Sequence, residues 1–424
     1  MTALRRLTDD CFGHDKDRLR HADALRLIDE RLMTVARTEV VPLDKAHGRV
    51  LAEDVFAARA IPGFPNAAVD GYAFAYGSLF RDQNRLKVAQ RVAAGDEALK
   101  PLKTGEAARV FTGAAIPENA DTCVMQEDVT VEGDRIRVPP GLKPGANVRK
   151  AGEDVRPGDS VADAGTRLRP QELAAIAAVG RSEVRCFRPL TVGLFSTGNE
   201  LVRPGDPLGL ARVFDSNYFM LNGLLAGVGI QGIDLGILPD DARVVRKALG
   251  LASKACDVVV TTGGVSRGDA DHVVDAIRTL GSLHAWQLAV KPGGSLAMGQ
   301  IGDTVCFGLP GNPVAVFVTF VLYARPMIAR LQGELWREPP RYPLPAGFSI
   351  ARKKPDRREF WRGWTVEGSD GRPVLQKFTR DGSALISGLR QAEGLIEIPE
   401  EVTSVREGDL LGFIPFPGFG LLPK

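Results

Sequence analysis

Between residues 256 and 277 the chain reads CDVVVTTGGVSRGDADHVVDAI, and this stretch decides the fold. The run Val258 to Thr262 has the length and β-branched content of a strand buried on both faces. It empties into Gly263 and Gly264, which let the backbone approach a ligand closely. A helix follows, so the amides of the turn and of the helix start can grip a phosphate. An anionic small molecule at the end of a parallel strand is implied; a plain tight turn is the other reading. The spacing matches neither G-x-G-x-x-G nor a Walker loop, so ordinary dinucleotide and ATPase readings lose support.

Working outward, strands and helices alternate from Pro189 to about Leu331. LTVGLFS reads as a buried strand, and Asp215 and Ser216 can cap the helix YFMLNGLLAG. GIDLGIL is a second strand, DDARVVRKALGLASKA a helix, and TVCFGLP a strand leading to Asn312 and Pro313, an N-cap and first helical position before VAVFVTFVLYA. The pattern predicts a doubly wound α/β domain. N-terminal to it, Leu25, Ile28, Leu32 and Val35 recur at helical spacing within a helix from Leu19 to Val35, and a second helix is expected over Asp44 to Val55. IPGFPNAAVDGYAF must be an ordered loop. RLKVAQRVAA, AARVFTG, DTCVMQE and DRIRV predict a small β domain between about residues 62 and 148, and Gln171 to Val179 a helix stopped by Gly180. Beyond Arg341, EFWRGWTV, PVLQKF, GLIEIP and LLGFIPF predict a small β-barrel or sandwich.

Bulk properties narrow the function. A chain of 424 residues exceeds one ordinary core, and 44% apolar with 25% charged residues is globular composition. A net charge of +2 with dispersed Lys and Arg provides no basic stripe for nucleic acid. No stretch approaches 18 uninterrupted apolar residues and the N-terminus lacks a signal-peptide core, so no membrane role is expected. Five isolated cysteines fit neither a zinc knuckle nor a disulfide framework and suit the cytoplasm. With 47 Gly and 28 Pro, many tight turns connect short elements, and loops are expected to carry the function.

Carboxylates gather at the carboxyl edge of the predicted sheet: Glu200 after the first strand, Asp240 and Asp241 after the second, Asp269 and Asp271 after the third. Ligands of open α/β sheets bind there, and converging carboxylates could hold Mg²⁺, although any one of them alone reads more readily as a helix cap. Lys291 in WQLAVKPGG could neutralise an oxyanion. Asp70 and Thr112 read, by themselves, as turn-stabilising residues. The five histidines form no metal spacing, and neither G-x-S-x-G nor H-E-x-x-H occurs.

PNAAVDGYA, RVFTGAAIPENADTCVMQED, GANVRKAGEDVRPGD, FSTGNEL, DSNYFML, TTGGVSRGDAD, VKPG and GLPGNPV occur in the order seen in MoeA-type molybdotransferases, a family that includes the C-terminal part of gephyrin. From about Leu19 onward the chain resembles this family. The resemblance implies an elongated domain made of segments 18–60 and 149–187, an inserted β domain at 61–148, a pterin-binding α/β domain at 188–335 and a C-terminal β domain at 340–424. It implies a reaction in which molybdate and adenylylated molybdopterin give molybdenum on the two pterin sulfurs and AMP, with Mg²⁺.

By the same resemblance, Thr262, Gly263, Gly264 and Ser266 hold the phosphate end of the pterin, with Asp215, Ser216, Asn217, Pro310, Gly311 and Asn312 completing the substrate site. Glu200, Asp240 and Asp271 serve the metal and the adenylate; Lys291, Asp70, Thr112, Asp154 and Ser383 are further site residues. A cytoplasmic homodimer with sites between subunits is implied, in transient contact with enzymes of molybdopterin synthesis and nucleotide attachment. The rivals are a molybdopterin adenylyltransferase and a non-catalytic pterin carrier. Where the family often has WKxAxKPGKP and GLPGNPVS, this chain has Gln287, Gly294, Ser295 and Ala315, and the loss of two cations and a hydroxyl predicts weak molybdate binding.

Overall fold

The computed structural model describes residues 18–79, 82–265 and 272–423. Ser266, Asp269 and Asp271, together with Cys11 and His14, lie outside the described residues, as does the side chain of Gln287.

The first helix is shorter than its apolar spacing suggests, His21–Arg31. Val35 lies beyond it, its N–H donating to the Leu331 carbonyl (2.8 Å). The helix expected over Asp44 to Val55 does not form. A 3-10 turn, Leu43–Lys45, is followed by Gly48 at φ +74°, and Val50–Leu51 and Val55–Phe56 pair as short strands. The left-handed glycine breaks any helix there, and the β-branched valines gain more from antiparallel partners. Those partners come from far along the chain: Val50–Leu51 and Thr38–Pro42 flank Glu183–Phe187, while Val55–Phe56 pairs Ser160–Ala162. The helix Pro170–Ala178 ends as expected at Gly180, φ +82°.

Between these segments lies a six-stranded mixed sheet in the order Thr122–Met125, Gly71–Phe74, Glu106–Val110, Arg85–Val92, Arg135–Arg137, Thr130–Glu132. Period-two alternation places Ala73, Ala108 and Cys123 in one small core and Phe74, Ala107 and Val124 in another, so both faces are covered.

The α/β unit has six strands: β1 (Val192–Thr197), β2 (Gly232–Leu238), β3 (Val258–Thr262), β4 (Ser282–Gln287), β5 (Ser295–Ile301) and β6 (Thr304–Leu309). They lie in the order β2-β1-β3-β6-β5-β4. The first four are parallel, and β5 and β4 extend the sheet antiparallel. The order in which strands are added reverses between β1 and β3, which is the switch point where open α/β sheets open a crevice at the strand ends.

The C-terminal strands Tyr342–Pro345, Arg358–Glu367, Pro373–Lys377, Gly394–Ile398 and Leu410–Pro415 form one sheet, and a bridge between Ala346 and Leu375 brings its two ends together as a small barrel. The barrel is not separate from the α/β unit. Val290–Lys291 leaves β4 to pair in parallel with Arg358 and Glu359, and one core joins Leu25 and Ile28 of the first helix, Val316 and Tyr323, and Phe360, Leu395 and Ile414. The helical run Pro313–Gln332 is long and apolar enough to cross a membrane by composition, yet it is buried inside this core; among the described residues no other helix has that length and composition.

Candidate active site at the strand ends and the barrel seam

Two glycine turns pack against each other at the switch point. Gly263 and Gly264, after β3, have φ of +85° and +67°. A methyl group on Gly263 would lie 2.6 Å from the Thr197 carbonyl oxygen, and one on Gly264 would lie 2.8 Å from Cγ2 of Val273. Only glycine fits this approach. The Thr197 hydroxyl donates to the Thr262 carbonyl (3.1 Å), locking β1 to β3 just before both turns. One expectation is corrected: the Gly263 N–H is not available to a phosphate, because it donates to the Leu309 carbonyl (3.0 Å). Any anion contact from this turn must come from later amides.

Glu200 follows the turn that Gly198 makes after β1, and Asp240 follows β2. The Asn199 N–H donates to Asp240 Oδ2 (3.1 Å) and the Asp240 N–H returns a bond to Asn199 Oδ1 (3.2 Å), so the two strand ends are clasped and both acids stand at the same edge. Asp241 takes the cap role, accepting from the Arg243 and Val244 N–H groups (2.8 and 3.0 Å) of Ala242–Ala252. Those two bonds, the one from Val244 foremost, hold its carboxyl below the usual range. Among the described residues no group of three or more His, Cys, Asp or Glu forms a metal cluster. Glu200 and Asp240 are nevertheless two hard oxygen donors at neighbouring strand ends, which suits a dication that keeps water and substrate phosphate as its other ligands.

Asp215 is fully buried. It pairs with Arg203 (3.1 Å) and accepts the Tyr218 N–H (3.2 Å), whereas Ser216, the N-cap residue of Asn217–Ala226, makes no side-chain cap bond. Asp215 therefore supports the loop from behind. Asn217 reaches across instead, its Nδ2 donating to the Gly311 carbonyl (2.7 Å). Gly311 in turn lies against Gly263.

Pro310 and Asn312, on either side of Gly311, line a cavity of about 470 Å³ between the α/β unit and the barrel. Lys291, Gly294, Ser295, Ala315 and Ser383 share the lining, and the Ser383 carbonyl accepts the Val314 N–H at the start of the long helix (3.0 Å). Sequence reasoning missed Arg18, Arg357, Arg362 and Asp381, which line it too. Four cations against one acid make it an oxyanion cavity. Arg362 is held by the carbonyls of Gly382, Leu385 and Arg380 (3.0 to 3.2 Å), and burial lowers its pKa. Gly294 cannot simply be read as a lost lysine. A Cβ there would lie 3.1 Å from the Leu288 carbonyl oxygen and 3.3 Å from that of Val290, so the backbone leaves little room for a side chain.

Asp70 and Thr112 form a pair of their own: Asp70 Oδ1 accepts both the backbone N–H and the hydroxyl of Thr112 (2.8 Å each). These bonds, the backbone one foremost, hold its carboxyl below the usual range. Asp154 sits in the loop tied to Ile61 (N–H to carbonyl, 3.0 Å). None of the three lines the cavity.

Family models match in succession: the MoeA N-terminal region (domain I and II) over residues 19–180, a probable molybdopterin binding domain over 193–330, and the MoeA C-terminal region (domain IV) over 345–416. The chain is 37% identical to the molybdopterin molybdenumtransferase of Haemophilus influenzae, across 91% of this chain and 96% of that one. It is 30% identical to molybdopterin molybdenumtransferase 2 of Mycobacterium tuberculosis, across 90% and 95%. The crystal structure of the molybdopterin biosynthesis moeA protein from Pyrococcus horikoshii superposes with a TM-score of 0.80 at 31% identity, covering 94% of this chain and all of the other. Fold and site thus define a class, multi-domain proteins built around a molybdopterin-binding α/β unit with a β-rich C-terminal domain. Within that class the chain belongs to the MoeA family of molybdopterin molybdenumtransferases.

Proposed function

We propose that the chain is a transferase of molybdenum cofactor biosynthesis that moves molybdenum from molybdate to the dithiolene of adenylylated molybdopterin and releases AMP. The observation that carries this reading is continuity: Pro310, Gly311 and Asn312 connect the glycine turns of the switch point directly to the cationic cavity at the barrel seam. The pterin and its phosphate then belong beside Thr262, Gly263, Gly264 and Asn217, and molybdate beside Lys291, Arg357 and Ser383. Glu200 and Asp240 would hold Mg²⁺, which supplies charge to offset the phosphoanhydride when bound. The protein's own part is to fix both substrates across one loop and to offset the oxyanion with positive charge and hydrogen bonds.

Asp70, Thr112 and Asp154 enter this reading as contributions to a partner's site in a homodimer, the division into units at 18–60 with 149–187, 61–148, 188–335 and 340–424 being part of the same proposal. A cytoplasmic place and passing contacts with the enzymes of molybdopterin synthesis and of cofactor nucleotide attachment go with it. The carrier reading drew on the changed lysine positions Gln287 and Gly294, and the expectation of weak molybdate binding drew on these two and Ala315. Three arginines from outside that stretch line the same cavity and argue against both.

The test is to incubate the purified protein with adenylylated molybdopterin, Mg²⁺ and molybdate, following AMP release and sulfur-bound molybdenum. Glu200→Gln keeps shape and removes a metal-binding charge, so metal-dependent AMP release should vanish while the pterin still binds. Full turnover by that variant takes Glu200 out of the site. No molybdate-dependent AMP from the natural protein rejects the transferase.

A further inference from the structure

A buried carboxylate that sits behind the lining of an anion cavity, bonded to the residues of that lining, needs an explanation. Glu359 is buried, and three donors converge on it: Arg357 Nε on Oε1 (3.0 Å), Trp361 Nε1 on Oε2 (3.0 Å), and Lys291 Nζ 3.7 Å from Oε2. The convergence follows from the backbone. Glu359 and Trp361 fall at alternate positions along the strand Arg358–Glu367, Arg357 immediately precedes it, and the parallel register sets Lys291 directly beside Glu359 across the barrel edge. Lys291, Arg357 and Trp361 all line the cavity, whereas Glu359 does not. Arg357 is tethered at both ends, because the buried Lys353 ammonium donates to its carbonyl (2.7 Å). Gripping the guanidinium through Nε leaves its terminal nitrogens for another acceptor.

We propose that Glu359 is a positioning residue that holds Lys291 and Arg357 against the oxyanion, an inference resting on the reading of this cavity as the molybdate subsite. Two effects oppose each other. The carboxylate repels a dianion, but it also keeps two long cationic side chains from swinging away from each other into solvent. Their side chains are 39% and 25% exposed, so solvent is an easy escape for both. Lys and Arg carry large rotamer entropy, and without their shared counter-charge the cavity loses the geometry in which both reach one oxyanion. Positioning outweighs repulsion because Glu359 is already compensated by two cations and an indole N–H.

The experiment varies molybdate at saturating pterin and Mg²⁺ for the natural protein, Glu359→Gln, Lys291→Ala and the double variant, with equilibrium molybdate binding and thermal midpoint measured alongside. Glu359→Gln should raise the KM for molybdate about tenfold, with kcat and the pterin KM within about twofold, as expected for loss of one charge-assisted interaction. In the Lys291→Ala background the same change should matter less than about threefold, because one of the two positioned cations is already gone. Glu359→Asp, which keeps the charge but draws it back by a methylene, should fall between and serves as the test if Glu359→Gln does not fold. An unchanged or lower KM, or an equal factor in both backgrounds, overturns the positioning role. A natural protein without molybdate-dependent AMP release fails the functional reading instead, and the binding measurement then decides the role of Glu359 by the same criteria.

Discussion

Asn217 ties two loops of the site together: its Nδ2 donates 2.7 Å to the carbonyl of Gly311, while its equally buried Oδ1 has no hydrogen-bond partner among the described residues. The first contact fixes the loop that separates the pterin side from the oxyanion cavity. The second leaves an unsatisfied acceptor on the same side chain, and under the proposed function an N–H of the pterin would satisfy it. A buried acceptor left without a partner costs about 1–3 kcal/mol, so the bound state should recover what the free protein lacks.

Asn217→Ala is therefore expected to weaken the pterin more than the fold. Deleting the side chain removes one good hydrogen bond and one unsatisfied atom, so stability should change by no more than about 1 kcal/mol. The loop carrying Pro310 and Asn312 loses its tether, and pterin affinity should fall about tenfold or more, equivalent to roughly 1.4 kcal/mol. Urea unfolding and pterin titration separate the two. A large stability loss with unchanged affinity would make Asn217 purely structural.

The glycines of the two loops should differ sharply in tolerance. Gly263→Ala places a methyl 2.6 Å from a backbone oxygen at a φ of +85°. Steric overlap and left-handed strain together should cost about 2–4 kcal/mol. At Gly311 the added methyl would meet only Gly263 Cα at 3.9 Å, so Gly311→Ala should fold within about 1 kcal/mol of the natural protein. Equal unfolding midpoints for the two variants would mean that the turns are not packed as described.

Local chemistry explains what was legible in the sequence. The glycine pair after a valine run, Asn312 before Pro313, and the acids after β1 and β2 all announce themselves through residues whose backbone or capping preferences are strong. The Asp44 to Val55 stretch misled because nothing near it names the distant strand partners of Val50 and Val55, Phe187 and Ala162. The cavity was half legible for the same reason. Lys291 stood out within its own motif, but Arg357 and Arg362 reach it only because the two-residue strand Val290–Lys291 joins the barrel edge, a pairing too short to leave any period in the sequence. Glu359 was invisible until its three donors were seen together.

Acid stability should reveal His21. It is buried against Tyr323 (Nδ1 to hydroxyl, 2.8 Å), the edge of Phe360 and, at 3.4 Å, the Arg341 guanidinium. Burial first, then the charges of Arg358 and Arg341, lower its pKa to about 3. The folded chain thus binds fewer protons than the unfolded chain between about pH 3 and the ordinary histidine value near 6.5. Stability is full above that window and is lost as pH falls through it, by about 1.4 kcal/mol per pH unit from this group. His21→Gln cannot titrate, so its unfolding free energy should fall less steeply than that of the natural protein between pH 6 and pH 4. Parallel slopes would show that His21 takes up a proton in the folded state.

The remaining question is which chain supplies Asp70 to the cavity bearing Lys291. The Asp70–Thr112 pair belongs to a sheet with its own two cores, and neither residue lines the cavity of its own chain. Thr112 is exposed and Asp70 half-buried, and a carboxylate held below its usual range by two hydrogen bonds is preorganised to stay charged toward something outside its own sheet. If that something is a second copy, Asp70→Ala homodimers and Lys291→Ala homodimers should each release little AMP at a molybdate concentration well below the KM of Lys291→Ala, because every site lacks one of the two residues. In a mixed dimer one site carries both changes and the other carries neither. Random reassortment makes half the dimers mixed, so roughly a quarter of natural AMP release should return on mixing after dissociation and reassembly. Size-exclusion chromatography with differently tagged chains verifies that mixed dimers have formed. Verified mixed dimers without recovered activity would mean that Asp70 and Lys291 act in sites of the same chain, and a monomer in solution would remove the shared site altogether.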